Sequence, residues 1–380
     1  MKQKVLIFID WFSPGFKAGG PTASNVNIVD HLAEFFDFYV ITSDTDYHAE
    51  KPYPEIESDK WIDRGNYHVF YFSKEKLNFK NLLSIVNKIE IPVWYINGVY
   101  SRFFSIYPLI IAKKLNPKKV IVSARGMLSP HAFANKGIFK NLFINSMKLA
   151  GFYKGVHFHG TNANECEDIK NKISKNTLCN PIENLPRKSK FQFSPTSKQN
   201  DLIRLVSFAR ISPEKNTLYA IQALKHCTSN VTYDIFGQIN SEVYWNECKG
   251  AIKNLPPNVL VSYKGSVNPS EMSNLYKNYD VMYLPTTGEN FGHAILESFM
   301  NSRPVIISDT TPWKDLESQN IGFDISLDDP KEFAKVIDKM AKLPRNKFEL
   351  LNNTAYRFAK EYLNSHFTVN KYIELLSSNK

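Results

Sequence analysis

Acidic residues are missing from one long stretch of this chain. Between Ile91 and Asn164 there is no Asp or Glu, while ten Lys and Arg residues fall there. The 380 residues carry 47 basic and 37 acidic side chains, a formal charge of +10. Setting those ten aside leaves 37 of each sign, so the whole excess belongs to that stretch. A one-signed segment suits an anionic partner, such as a membrane surface, a phosphorylated substrate or a nucleic acid. It equally suits a set of solvated lysine faces. Cysteine is scarce too. Cys166, Cys179, Cys227 and Cys248 form no C-x-x-C pair and no zinc spacing. They read as reduced core thiols of a cytoplasmic protein. No apolar run approaches the roughly 20 residues of a membrane span. Residues 2–11 begin like a signal peptide, but Asp10 interrupts a short apolar run and no small-residue cleavage site follows. They read better as a buried first strand.

What is present is alternation. Residues 5–9, 38–42, 68–72, 93–97, 120–123 and 156–159 are short β-branched or aromatic runs. Amphipathic stretches such as 23–36 and 79–88 lie between them, the pattern of βαβ units on a parallel sheet. A second series follows, with strands expected at 204–208, 232–236, 259–263, 280–284 and 304–308. Helices are expected at 213–226, 241–253, 269–278 and 292–301. The fold class is therefore α/β, with two doubly wound, Rossmann-like domains. The expected division is 1–185, a polar Pro-containing linker at 186–200, a second domain at 201–355, and a C-terminal helix, 356–380, that could cross back to the first domain. Ligands of such sheets bind at the carboxyl ends of the strands, so the expected site is a cleft between the domains.

The most informative string runs from Leu284 to Phe299. An apolar strand ends at Pro285, a polar loop carries Glu289 and Asn290, and a helix starts near Phe291 and Gly292. Free N–H groups at a helix start favour an anion such as phosphate. Glu289 in the loop and Glu297 in the helix are acceptors suited to sugar hydroxyls. A second string runs from Phe208 to Asn216. Ser212 is a suitable N-cap and Pro213 a suitable first helical residue. Arg210 then falls in the loop and Lys215 in the first helical turn, where a cation opposes the helix dipole unless an anion binds. A third string holds Gly19 and Gly20 between the first strand and the first helix, where glycine lets a ligand approach the backbone. It is neither G-x-G-x-x-G nor a Walker loop.

These strings resemble the retaining glycosyltransferases of family 4, which have the GT-B fold. The Glu289–Glu297 spacing matches that family's E-x7-E signature. Residues 210–215 match its R-x4-K element, and Gly19-Gly20 its N-terminal glycine loop. Residues 158–165 and 180–183 resemble the end of its first domain, and Lys264 to Val267 resembles the stretch flanking the nucleotide base. The resemblance implies a hexosyltransferase-type enzyme using a nucleotide-sugar donor, UDP-linked by family habit. It implies that Arg210 and Lys215 neutralise the donor diphosphate and that Glu289 contacts the donor sugar. Asn290, Phe291 and Gly292 would support sugar and phosphate, Glu297 would bind the ribose, and Gly19-Gly20 would face the phosphate from the other domain. It implies no cofactor and no metal. The acceptor would be a glycan or a polyprenyl-diphosphate-linked sugar, in surface polysaccharide biosynthesis.

One departure stands out. Many relatives carry His-Gly after the strand that ends here at Ser123, and this chain has Arg125-Gly126. Its form resembles capsule and O-antigen transferases. A guanidinium is not a base at neutral pH, but it can clamp a phosphate or sugar. His131 is the other acceptor-side candidate. Asp44-Thr45-Asp46 resembles a metal-binding D-x-D motif without its context, and His157 and His159 have no partner at zinc spacing.

Two other functions compete. A sugar-nucleotide 2-epimerase shares the fold but needs an acid and a base over the sugar ring, which the Glu289–Glu297 string argues against. A basic nucleic-acid binder would need a recognition motif, and none accompanies the charge; no nucleic-acid partner is expected. Residues 132–154 space aromatics and aliphatics among Lys136, Lys140, Lys148 and Lys154 in a helical pattern. They are either domain core or a face that docks the enzyme peripherally on the anionic inner face of the cell membrane.

Overall fold

The computed structural model describes residues 2–130, 133, 137–188, 193, 198–268, 270–364 and 367–378. The chain forms two compact units, Met1–Lys188 with His366–Lys380, and Ser189–Ser365. Residues 189–192 and 194–197 of the expected linker lie outside the described residues.

The first unit is built on an eight-stranded sheet. Its strands are β1 (Gln3–Phe8), β2 (Phe36–Ser43), β3 (Trp61–Asp63), β4 (Tyr67–Phe72), β5 (Val93–Asn97), β6 (Lys119–Ser123), β7 (His157–Gly160) and β8 (Cys179–Pro181). The order is β3-β4-β2-β1-β5-β6-β7-β8. Neighbours run parallel except β3, which is antiparallel to β4. Helices α1 (Gly20–Leu32), α2 (Phe79–Asn87), α3 (Tyr107–Leu115), α4 (Gly137–Leu149) and α5 (Ala163–Lys172) connect them. Side chains alternate across a strand. Leu6, Phe8, Trp94 and Ile96 therefore enter one core layer. Val5, Ile7, Val93 and Tyr95 enter the layer on the other side. A sheet buried on both faces explains why these strands read as unbroken apolar runs.

The second unit has six parallel strands: β9 (Leu202–Phe208), β10 (Asn230–Phe236), β11 (Val259–Tyr263), β12 (Val281–Leu284), β13 (Val305–Ser308) and β14 (Gly322–Ile325). Their order is β11-β10-β9-β12-β13-β14. In strand sequence that is 3-2-1-4-5-6, the dinucleotide-fold order, which reverses direction between β9 and β12. Helices α6 (Thr217–Leu224), α7 (Glu242–Lys253), α8 (Met272–Tyr276), α9 (His293–Met300), α10 (Pro330–Ala341) and α11 (Arg345–Asn364) complete it. The last helix, α12 (Phe367–Leu376), belongs to the first unit. There Tyr372, Leu375 and Leu376 enter the core layer of Val5 and Ile7. Among the described residues no helix is long and apolar enough to cross a membrane.

Two expectations need correction. Cys166 and Cys179 are not reduced thiols, since they form a disulfide with Cα atoms 5.7 Å apart. Helix α5 returns its first turns to the edge strand β8, which brings together two cysteines 13 residues apart. Cys227 and Cys248 are buried free thiols. The second correction concerns residues 213–226. Pro213–Lys215 form a short 3-10 turn, and α6 starts only at Thr217. Asn216 sits in the left-handed region, φ 58°, and separates the two. Ser212 Oγ caps nothing and has no hydrogen-bond partner.

Candidate functional site

The second unit's reversal point sits between β9 and β12, and the loops that follow these strands carry the candidate residues. The loops are stitched together. Thr287 N donates to the Glu214 carbonyl at 3.1 Å, and the hydroxyls of Thr286 and Thr287 donate to the same oxygen at 2.9 and 3.0 Å. Asn216 Nδ2 donates to the Pro285 carbonyl at 3.0 Å. Thr310 Oγ1 donates to the Thr286 carbonyl at 2.8 Å. The bonds of Glu214 and Asn216 join positions 69 to 73 residues apart into one wall, and Thr310 ties in a third segment.

Lys215 and Glu289 meet in that wall. Lys215 Nζ lies 2.5 Å from Glu289 Oε1, with side chains only 20% and 12% exposed. Arg210 is on the same loop as Lys215, its Nη2 3.4 Å from Glu214 Oε1. Both cations of the R-x4-K element are thus paired with carboxylates. The pairs differ in kind. The Arg210–Glu214 pair is exposed and weak, whereas a contact as dry as Lys215–Glu289 feels a lower dielectric.

The helix start beside them is built on glycine. Gly292 caps α9 with φ 80°. A β-carbon there would lie 2.8 Å from Ile295 Cδ1 and 3.2 Å from Trp313 Nε1. Phe291 is buried, and its carbonyl accepts from Trp313 Nε1 at 2.5 Å. Asn290 is exposed at the loop end. Glu297 lies half-buried in α9, close to Tyr276. Burial, and then the Glu297 charge, push the Tyr276 hydroxyl well above its ordinary pKa of 10. Lys264 pairs with Asp234 at 3.6 Å, and Tyr279 OH donates to the same carboxylate at 2.8 Å.

The first unit has its own reversal point, between β1 and β5. Gly19, with φ 73° and ψ −130°, caps α1, and Gly20 opens that helix. A β-carbon at either would meet nothing within 4 Å, so the backbone there is open. Only Gly19 requires its residue type, because its φ is left-handed. Asp46 holds this loop from outside, accepting from Phe16 N at 3.1 Å and from Lys17 N at 3.2 Å. The Asp44–Asp46 pair is thus a loop clamp, with Asp44 accepting from Ser58 Oγ at 2.7 Å. Asp10, at the end of β1, accepts from Ser101 Oγ at 2.7 Å. Burial raises its pKa against that hydrogen bond.

Arg125 sits in a left-handed turn, φ 54°, past β6. Its guanidinium is directed inward. It donates to Asn97 Oδ1 at 2.9 Å, to Tyr95 OH at 3.1 Å and to Asn184 Oδ1. Gly126 N donates to Glu165 Oε1 at 2.6 Å, and Glu165 Oε2 accepts from Thr161 N at 2.7 Å. Tyr95 OH bonds His159 Nδ1 at 2.7 Å, and His159 Nε2 bonds the Ile182 carbonyl at 2.8 Å. His131 lies outside the described residues. Sequence reasoning missed Asp10, Asn97, Glu165 and the Glu214 carbonyl. Single polar residues at strand ends carry no local pattern that marks them.

His159 yields a pH prediction. Burial, aided by the Arg125 charge, lowers its pKa from 6.5 to about 3. The folded state keeps the ring neutral where the unfolded chain binds a proton, so stability is lost as pH falls below 6.5. Between pH 7 and pH 5 the expected loss from this ring is about 2 kcal/mol. His159→Gln should flatten urea-derived stability over that range. An equal loss in both proteins would place the acid sensitivity elsewhere.

Residues 188–359 match the family described as glycosyl transferases group 1. HepE from Anabaena, solved with UDP and glucose, is similar over 99% of this chain and 100% of its own, with TM-score 0.69 and 15% identity. Sucrose-phosphate synthase from Thermosynechococcus elongatus is similar over 98% of both chains, with TM-score 0.71 and 15% identity. WaaG, a glycosyltransferase involved in lipopolysaccharide biosynthesis, is similar over 99% of this chain and 100% of its own, at 0.67 and 13%. No curated protein sequence matches the chain. These likenesses establish the GT-B fold, with two Rossmann-like α/β domains.

Proposed function

We propose that this chain, a glycosyltransferase carrying a group 1 domain, moves a sugar from a nucleotide-sugar donor to a glycan or lipid-linked acceptor. UDP is the proposed nucleotide, the anomeric configuration is retained, and the product belongs to surface polysaccharide biosynthesis. One observation carries the reading. Lys215 and Glu289 touch at the reversal point of a dinucleotide-type sheet, with Arg210 on the same loop and the Gly292 helix start adjoining. HepE holds UDP with glucose, or UDP-glucose, in its structures. WaaG acts in lipopolysaccharide biosynthesis. Both support the donor and product classes.

The chemistry follows from charge. The anomeric C–O bond to the diphosphate breaks through an oxocarbenium-like state, and a C–O bond to the acceptor hydroxyl forms. The departing diphosphate gains negative charge, and in a retaining reaction it also takes the acceptor's proton. Cations aimed at it stabilise the transition state more than the ground state. Arg210, Lys215 and the N–H groups beyond Gly292 supply that charge, so the proposed reaction needs no metal. Glu289 orients Lys215 and offers an acceptor to sugar hydroxyls, and Glu297 serves the ribose. In the first unit, Gly19 and Gly20 present open backbone suited to an anion, and Arg125 fixes Asn97 and Asn184 on the proposed acceptor side.

A thermal-shift series with UDP-, GDP- and dTDP-sugars tests the donor. The matching donor at about 100 times its Kd should add about 2.7 kcal/mol of stability. If none of them raises the melting temperature and none is consumed with any acceptor, the reading is wrong.

A further inference from the structure

Helix α4 has two apolar faces, and only one of them is used by the fold. Ile144 and Met147 are buried in the first unit's core, and Phe143 packs against it. Ile138, Phe139, Leu142 and Leu149 are 84%, 73%, 64% and 92% exposed. At about 100° per residue, Ile138, Leu142 and Leu149 fall within about 40° of one another, on the side away from Met147. Helix α4 thus puts apolar side chains into the core on one side and leaves others exposed on the opposite side. Scattered exposed apolar residues need no account, but an aligned stripe of large ones marks a contact surface.

The charge around the stripe selects the partner. Lys148 lies on α4 and the exposed Lys154 follows it, while Lys140 is on the core side, over the Tyr100 and Phe133 rings. Lys113, near the end of α3, donates to the Ala150 carbonyl at 2.5 Å and brings the exposed Lys113-Lys114 pair beside the end of α4. No acidic residue lies between Ile91 and Asn164. A second copy of this chain is a poor occupant, because a self-complementary contact sets lysines against lysines. A nucleic acid would leave the four large apolar side chains unburied. A bilayer with anionic headgroups satisfies both halves, since aliphatic side chains enter the acyl boundary while lysines meet the headgroups.

We propose that α4 is the face by which this protein sits on an anionic lipid surface, with Ile138, Leu142 and Leu149 inserted and Lys114, Lys148 and Lys154 at the headgroups. Co-sedimentation tests it with two kinds of vesicle, an equimolar mix of phosphatidylglycerol and phosphatidylcholine, and phosphatidylcholine alone. Wild-type protein should pellet with the mixed vesicles and stay largely in solution with the neutral ones. Leu142→Glu with Leu149→Glu alters only exposed positions, so the circular dichroism spectrum should be unchanged. That pair should lower affinity for the mixed vesicles roughly tenfold or more. Lys114→Glu with Lys154→Glu should do the same. Equal binding to both vesicle types, or unchanged binding by either pair, overturns the proposal. So does a wild-type dimer in light scattering that the leucine pair abolishes without any vesicle binding. No donor is present in these measurements, so the vesicle result and the sugar-transfer reading stand or fall separately.

Discussion

Lys215→Ala should lower kcat about 100- to 1000-fold, the cost of removing one preorganised charge from a developing anion, about 2.7–4 kcal/mol. The geometry makes the expectation specific. Lys215 is held from one side by Glu289 at 2.5 Å and placed by a loop that three hydrogen bonds to the Glu214 carbonyl tie to the β12 loop. Its ammonium therefore needs little rearrangement to face an anion, and pre-placed charge is what lowers a barrier. Glu289→Gln keeps the shape of the wall and removes the carboxylate. It should impair turnover while leaving donor binding measurable, because the cations remain. Lys215→Ala also leaves the Glu289 carboxylate, only 12% exposed, without its partner and should cost stability, so kcat is read per folded molecule. Steady-state kinetics at saturating donor, with circular dichroism as a check on folding, decides it. A Lys215→Ala protein within threefold of wild type would falsify the site assignment.

How much of this was legible before the structure depends on whether a feature is local. The strands of both sheets follow from short β-branched runs, and β5 and β11 coincide with the expected 93–97 and 259–263. The short edge strands do not follow. β3 has only three residues and β14 opens on Gly322, so neither forms an apolar run. The 210–216 and 284–299 strings stood out as loops between strand and helix. Their joining did not, because it runs through Thr286, Thr287 and a backbone carbonyl of Glu214. Ser212-Pro213 looked like a helix start, yet Asn216 adopts a left-handed conformation and delays the helix to Thr217. The Cys166–Cys179 pairing depends on α5 returning to β8, which no spacing rule encodes. Arg125 was visible as a replacement for histidine, but not its engagement with Asn97, Tyr95 and Asn184. Local chemistry is written in the sequence, and its partners are written in the topology.

Asp280→Ala should destabilise the second unit by about 3 kcal/mol without changing kcat per folded molecule. Asp280 is fully buried and accepts three hydrogen bonds from Arg204, from N at 2.9 Å, Nε at 3.1 Å and Nη2 at 2.8 Å. Removing the carboxylate leaves a guanidinium only 22% exposed without its counter-charge. Breaking a buried pair in this way costs about 3–5 kcal/mol, and the remaining access to water favours the low end. The pair joins β9 to β12 near their amino ends, whereas the Arg210–Lys215 and Glu289 loops leave from their carboxyl ends. Scaffold and site are thus carried by the same two strands but at opposite ends. Urea denaturation followed through Trp245 and Trp313 should show the midpoint shift, and titrated active enzyme should show an unchanged kcat. Arg204→Met combined with Asp280→Leu removes this pair together and should recover part of the loss, while the buried Arg303, whose charge Asp280 also favours, keeps the remainder. If the double variant is as unstable as Asp280→Ala, the loss does not come from the Arg204–Asp280 pair.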